Sequence, residues 1–233
     1  MNKNIFFSVT ITIIVLILLI LAAIVVRYLL WYYIYGYKKR KSGFLFEEKV
    51  NAEIKKYIKG TGLKFIEGGV YSYNNRQFEI DSLLVSPSML VVLEYKYLSG
   101  TMSGDANAKD IQLSSSKDRK VSKKLFRIKN PISQNENHIS NINKVLNKDI
   151  MYVSIIVVPN ELDVQISNIP DHVKFFKVQE LETLINELSI QSKRYPELVN
   201  VKEVLNIIEI FKIRTLAEKI RFRNKIKSKQ GNK

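Results

Sequence analysis

The run from Ile5 to Val26 contains no charged residue, no Gly and no Pro. A helix crossing roughly 30 Å of hydrocarbon needs about 20 residues of this kind. A helix also pairs its own backbone groups where no water can do so. The sequence therefore predicts a membrane anchor at Ile5–Val26. Apolar character continues past Arg27 through Tyr28, Leu29, Leu30, Trp31, Tyr32 and Tyr33. Rings with a polar edge suit the headgroup region. A cleaved signal peptide would carry a core of roughly 7–15 apolar residues and then a small-residue cleavage site. This run is longer, and no such site follows it. Lys3 precedes the span, whereas Arg27, Lys38, Lys39, Arg40 and Lys41 follow it. Cytoplasmic flanks carry the excess of Lys and Arg. The expected topology is a single pass through the cell membrane, with the N-terminus outside and the larger domain in the cytoplasm.

Three regions follow: anchor and basic juxtamembrane segment over 1–41, a domain over 42–190, and a basic helical tail over 191–233. The middle region is long enough to bury a core. The chain has no cysteine, which removes disulfides, thiolate catalysis and Cys-ligated metal. Its net charge of +15 is segregated. Besides the juxtamembrane cluster, Ser114–Asn130 holds Lys117, Arg119, Lys120, Lys123, Lys124, Arg127 and Lys129 against Asp118 alone. Val201–Lys233 holds ten Lys and Arg against Glu203, Glu209 and Glu218. Gathered positive charge attracts polyanions, either nucleic acid or anionic lipid. For any one cluster the plainer reading is a solvated lysine-rich surface.

Along the chain, Phe46, Val50, Ile54 and Tyr57 recur at helical spacing, so a helix is expected over Gly43–Lys59, ended by Gly60. Leu63–Tyr73 reads as extended or turn-like. Phe78–Val85 and Met89–Tyr97 are β-rich runs separated by Ser86-Pro87-Ser88, which predicts a hairpin. Ser99–Lys129 reads as loop or irregular strand. Gln134–Leu146 is a predicted helix, Met151–Val158 a buried strand, Val173–Val178 a short strand and Gln179–Leu188 a helix. A long amphipathic helix, continuous or broken, is expected from Glu197 to about Lys227. This order implies an α/β or α+β domain with a mixed sheet.

The chemistry concentrates in the hairpin. If it turns at Pro87-Ser88, paired positions place Asp81 across from Glu94, and Lys96 shares Glu94's face two residues on. Two carboxylates that close repel each other unless a positive charge stands between them. A divalent cation with oxygen ligands answers that need and leaves waters free for a phosphate substrate. Asp…Glu-x-Lys alone is a weak pattern, and a surface ion pair is the commoner cause. Here, however, Glu94 follows the apolar run Met89–Leu93, where an unpartnered charge is costly.

Four stretches make the pattern specific: Gly43-Phe-Leu-Phe-Glu-Glu-Lys-Val50, Glu79-Ile80-Asp81, Leu93–Gly104 and Lys129–His138. In this order they resemble the NERD (nuclease-related) domain, a branch of the restriction-endonuclease-like Asp…Glu-x-Lys superfamily. The resemblance implies a restriction-endonuclease-like α/β fold: a mixed sheet flanked by helices, here preceded by one transmembrane helix and followed by a basic amphipathic one. It implies Asp81 and Glu94 as metal ligands for Mg²⁺ or Mn²⁺, with the Tyr95 carbonyl completing the shell. It implies Lys96 as the catalytic lysine, Glu47 supporting the site from the first helix, and Gln134 pointing at the same centre. Phe46 stands where the family usually has Gly, a departure next to Glu47 that implies different packing of the first helix.

The expected function is membrane-anchored, metal-dependent hydrolysis of nucleic acid, DNA before RNA. Lys117, Arg119, Lys120, Lys123, Lys124 and Arg127 would track the phosphate backbone without reading sequence. The alternative is a catalytically inactive module that binds nucleic acid or protein at the membrane. The C-terminal helix would either contact anionic lipid or pack on the domain. His138, one helical turn after Gln134, faces the same way on a helix, although a lone histidine is more often a surface or packing residue. Asp105 and Asp110 are near in sequence only, and His172 has no assigned role.

Overall fold

The computed structural model describes residues 3–115, 124–215, 218, 220 and 224. They form two compact units, Met1–Leu45 and Phe46–Lys233. In the first unit, α1 (Lys3–Tyr57, the helix that ends in the second unit) carries the span Ile11–Trp31. Its 21 residues, with a mean hydropathy of 3.1, are long and apolar enough to cross a membrane.

The second unit is built on a five-stranded sheet. Its strands are β1 (Lys64–Tyr73), β2 (Arg76–Val85), β3 (Met89–Tyr95), β7 (Met151–Val158) and β9 (Val173–Lys177), in the spatial order β1-β2-β3-β7-β9. The first three run antiparallel, and β3, β7 and β9 run parallel. Parallel strands need a crossover, and α2 (Pro131–Leu146) lies on the one from β3 to β7. One face of the sheet packs on Phe46, Val50 and Ile54 of α1 and on Leu181, Leu184, Ile185 and Leu188 of α3 (Leu181–Arg194). The opposite face packs on Ile142, Val145 and Leu146 of α2 and on Val204 and Ile208 of α4 (Val201–Phe211). A sheet covered on both faces explains why every residue of β3 is buried. The result is a mixed α/β core flanked by helices, as the sequence implied.

One stretch departs from the sequence reading. Ser99–Lys129, expected to be irregular, contributes β4 (Gly100–Asp105), β5 (Asp110–Ser115) and β6 (Lys124–Lys129). With β8 (Leu162–Ser167) they make a second sheet in the order β6-β5-β4-β8. Its strands are short and polar because only one face is covered. Met102, Ile111, Leu113 and Leu162 point to a small third core, while Thr101, Ser103, Gln112 and Gln165 alternate with them. The helix expected over Glu197 to about Lys227, with a break allowed, is interrupted after Phe211: α4 covers Val201–Phe211, and among the described residues beyond it 218, 220 and 224 are again helical. Lys212 leaves α4 in extended conformation and bridges to Tyr71 on β1. The amphipathic side of α4 is thus turned to the domain core, and most of the basic tail beyond it lies outside the described residues.

Candidate active site

The hairpin pairs as its spacing predicts, with Ser82 opposite Leu93 and Val85 opposite Leu90. The ladder stops at Ser82. One step further, the Asp81 side chain takes over the ladder's role: its Oδ2 accepts a hydrogen bond from the Tyr95 backbone N–H at 2.7 Å. Gly68 of β1 shapes this corner. A Cβ there would sit 1.9 Å from the Asp81 carbonyl oxygen and 2.3 Å from that of Ile80. Only glycine lets the two backbones approach so closely. On the opposite face the Tyr95 hydroxyl bonds Ser82 and donates to Asn51 Oδ1 at 2.8 Å, tying β2, β3 and α1 together. Asn51 is one turn along α1 from Glu47.

Glu94 points to the other side, toward α2, and is 1% exposed. Its Oε1 pairs with Lys96 Nζ at 2.6 Å. Lys96 Nζ also donates to Gln134 Oε1 at 2.8 Å. The helix that presents Gln134 starts from a firm cap. Asn130 accepts from the Ile132 N–H and donates to the carbonyls of Ala106 and Ala108. Asn135 holds the same helix to the sheet, donating to Val92 O at 2.9 Å and to Ser154 Oγ at 2.8 Å. His138 follows one turn after Gln134, and its Nδ1 lies 3.4 Å from Glu94 Oε2. That contact lacks hydrogen-bond geometry: both atoms are buried and unpartnered.

Burial dominates the electrostatics. It pushes the Glu94 carboxyl up to about 8, with Asp81 adding to the shift and Lys96 opposing it. Asp81 rises to about 6, again chiefly by burial, against the Tyr95 N–H and Lys96. Glu47 rises to about 7 through partial burial of its carboxyl and the charges of Asp81 and Glu79, although the residue stands at an exposed rim. His138 is pushed down to about 4 by burial and by Lys96, so its ring is neutral near pH 7. These are the shifts of a carboxylate cluster short of positive charge.

Asp81, Gln134 and His138 line a groove of about 540 Å³. Lys109, Asp110 and Lys129 border it, as do Ser133, Asn137 and Asn141, one to two turns apart along α2. The structure thus gathers Asp81, Glu94, Lys96 and Gln134, with Glu47 near enough to be shifted by Asp81. Asp110 is at the groove, whereas Asp105 is half-buried and bonds the Asn107 N–H and Asn168. His172 pairs with Glu136 at the surface. Phe46, the departure from the family pattern, is buried against Tyr97, with ring centroids 5.4 Å apart. Lys117, Arg119, Lys120 and Lys123, and the Lys124 side chain, lie outside the described residues; Arg127 is exposed on β6. Among the described residues no group of three or more His, Cys, Asp or Glu is gathered to hold a metal ion.

Sequence reasoning overlooked Gly68, the Tyr95–Ser82–Asn51 tie and Lys109. Only the Ser133/Asn137/Asn141 spacing carried a readable signal, as one stripe of a helix.

No curated protein and no solved structure matches the chain. A family model described as the nuclease-related domain, NERD, matches residues 42–159, just over half of the 233. The matched span includes Glu47, Asp81, Glu94, Lys96, Gln134 and His138. On that match the chain belongs to the nuclease-related domain (NERD) family, as a nuclease-related module that carries one apolar helix of membrane-spanning length.

Proposed function

We propose that this chain is a membrane-anchored, metal-dependent nuclease that hydrolyses phosphodiester bonds in nucleic acid, DNA before RNA. The observation that supports it is the Glu94–Lys96–Gln134 chain of contacts beside a groove that Asp81 and Gln134 line, with a buried carboxylate oxygen of Glu94 left unpartnered. An unpartnered buried anion is the kind of donor a divalent cation satisfies. Asp81 and Glu94 would hold Mg²⁺ or Mn²⁺. Such an ion, when bound, polarises a phosphoryl oxygen and makes a bound water more acidic.

The remaining roles belong to the chain's own residues. Gln134 and Glu94 hold the Lys96 ammonium from two sides, so its charge is aimed before substrate arrives. Lys96 then offsets negative charge that builds on the phosphoryl oxygens. The Tyr95 N–H fixes one oxygen of Asp81, leaving the carboxylate a single orientation. Glu47 adds negative potential at the rim. Lys109 and Lys129 at the groove would attract backbone phosphate, and the charge that the sequence gathers from Lys117 to Arg127 adds to the pull on a polyanion. The flanking charges of the anchor support a site on the cytoplasmic side, where substrates would come to the membrane.

The test uses the full chain in detergent, with DNA or RNA and Mg²⁺ or Mn²⁺. Asp81→Ala and Lys96→Ala should each reduce cleavage by about 100-fold or more, with nucleic-acid binding kept. Cleavage that survives both substitutions rejects this site. A second reading is favoured by one observation, the lack of a three-donor cluster among the described residues. It is a non-hydrolytic module that binds nucleic acid or protein, and its signature is salt-sensitive binding with no cleavage of any substrate.

A further inference from the structure

We propose that His138 joins Glu94 in binding the cation, and that the site therefore prefers a nitrogen-accepting divalent ion such as Mn²⁺ to Mg²⁺. The inference rests on the metal-dependent reading above.

Glu94 Oε2 and His138 Nδ1 are 3.4 Å apart, both buried, and neither has a hydrogen-bond partner. Native proteins rarely leave one such atom unsatisfied, and here two stand face to face. Donor atoms about 2.1 Å from one ion lie roughly 3.0–3.5 Å from each other when they are neighbours in its shell. The observed separation falls in that range. One cation would satisfy both atoms at once.

The other donors are less free. Glu94 Oε1 is engaged by Lys96, and Asp81 Oδ2 by the Tyr95 N–H. As the side chains lie, Asp81, Glu94 and His138 do not form a three-donor cluster. The pair with open donor atoms is Glu94 and His138, with the second carboxylate, water and substrate oxygens to complete the shell. The ring is also held in place. Its helix is capped by Asn130 and tied to β3 and β7 by Asn135, so the nitrogen is presented and need not be recruited. Ligand type then decides the ion. Mg²⁺ takes oxygen and keeps its waters, whereas imidazole suits the first-row transition metals.

The experiment uses the full chain in detergent with Mn²⁺ or Mg²⁺ alone, without nucleic acid. Calorimetry should show Mn²⁺ binding about tenfold tighter than Mg²⁺ or better. Pulsed electron paramagnetic resonance of the Mn²⁺ form should show a directly bound nitrogen whose coupling changes on ¹⁵N-histidine labelling. His138→Ala should lose that coupling and about tenfold or more in Mn²⁺ affinity, while His172→Ala should lose neither. If His138→Ala does not fold, the ¹⁵N-histidine-labelled His172→Ala chain gives the same answer, because His138 is then its one histidine. Mn²⁺ bound without nitrogen coupling overturns the inference alone, and makes the 3.4 Å contact a hydrogen bond that closes on ring rotation. Failure to bind either ion overturns the metal-dependent reading and this inference together. Nitrogen coupling without cleavage of any nucleic acid supports the inference and rejects hydrolysis.

Discussion

At the residue scale, the site is a place where burial and charge oppose each other. Glu94 is nearly inaccessible, and its carboxyl is raised from 4.5 to about 8. A folded state that holds the proton more tightly than the unfolded chain is favoured by acid. Its contribution is complete below about pH 4.5 and is lost as pH rises through about 8. Asp81 acts in the same direction between 3.8 and about 6. The cation-free protein should therefore weaken as pH rises across that window. Glu94→Gln, which keeps the shape and removes the charge, should raise the melting temperature at pH 8.5. The gain expected is about 2–4 °C for each kcal/mol relieved, with no gain at pH 4.5. Thermal unfolding with a chelator present measures this. An equal change at both pH values would show that burial of the charge is not the cause. The raised values near the site were not legible in Asp…Glu-x-Lys as a pattern. They depend on how deeply α2 and β3 bury Glu94.

At the element scale, α2 carries the most. It contributes Gln134 to Lys96, His138 to Glu94, Asn135 to the strands and five of the twelve residues that line the groove. Its first turn is set by one residue, Asn130, which is 1% exposed. Asn130→Ala removes the cap bond to Ile132 and leaves the Ala106 and Ala108 carbonyls without their donor. A loss of about 1–3 kcal/mol is expected. Asn130→Asp keeps the capping oxygen and loses the donor bonds, so in a urea titration it should fall between wild type and Asn130→Ala. Equal stability of all three proteins would mean that the cap does not hold the helix. The apolar positions at Ile139, Ile142, Val145 and Leu146 made this helix readable from Gln134 onward, and the structure adds its first turn from Pro131. The second sheet was not readable, because its strands are short and covered on one face only. Their apolar residues are too few to stand out from a polar, basic stretch.

At the scale of the whole molecule, an apolar helix and a basic, nuclease-related domain share one chain. The domain's charge is consistent with a polyanionic partner, and the proposed topology puts that partner in the cytoplasm. Protease added to intact cells should leave 42–233 uncut, and should cut it once the membrane is opened. Digestion in intact cells would place the domain outside and turn the proposal toward external nucleic acid. The last helix bears on the lipid question in a simpler way. Val204 and Ile208 are buried beside α2, so this apolar stripe is already occupied within the domain. Lipid contact by the tail would have to come from the basic residues beyond Phe211.

The sequence by itself determined what depends on local order and hydrophobic pattern. The charge-free run near the N-terminus, the hairpin and its register, the core strand Met151–Val158 and the helix over Gln134–Leu146 all follow from spacing and side-chain type. The family follows from four short stretches in order. Only the tertiary structure decided what depends on residues far apart in the chain. It placed Gly68 against the Asp81 backbone, closed Lys96 between Glu94 and Gln134, and set His138 beside a buried carboxylate oxygen that has no partner. The physical reason is that a strand or a helix can be read from its own period. The environment of a buried charge, by contrast, is made by every element that packs around it.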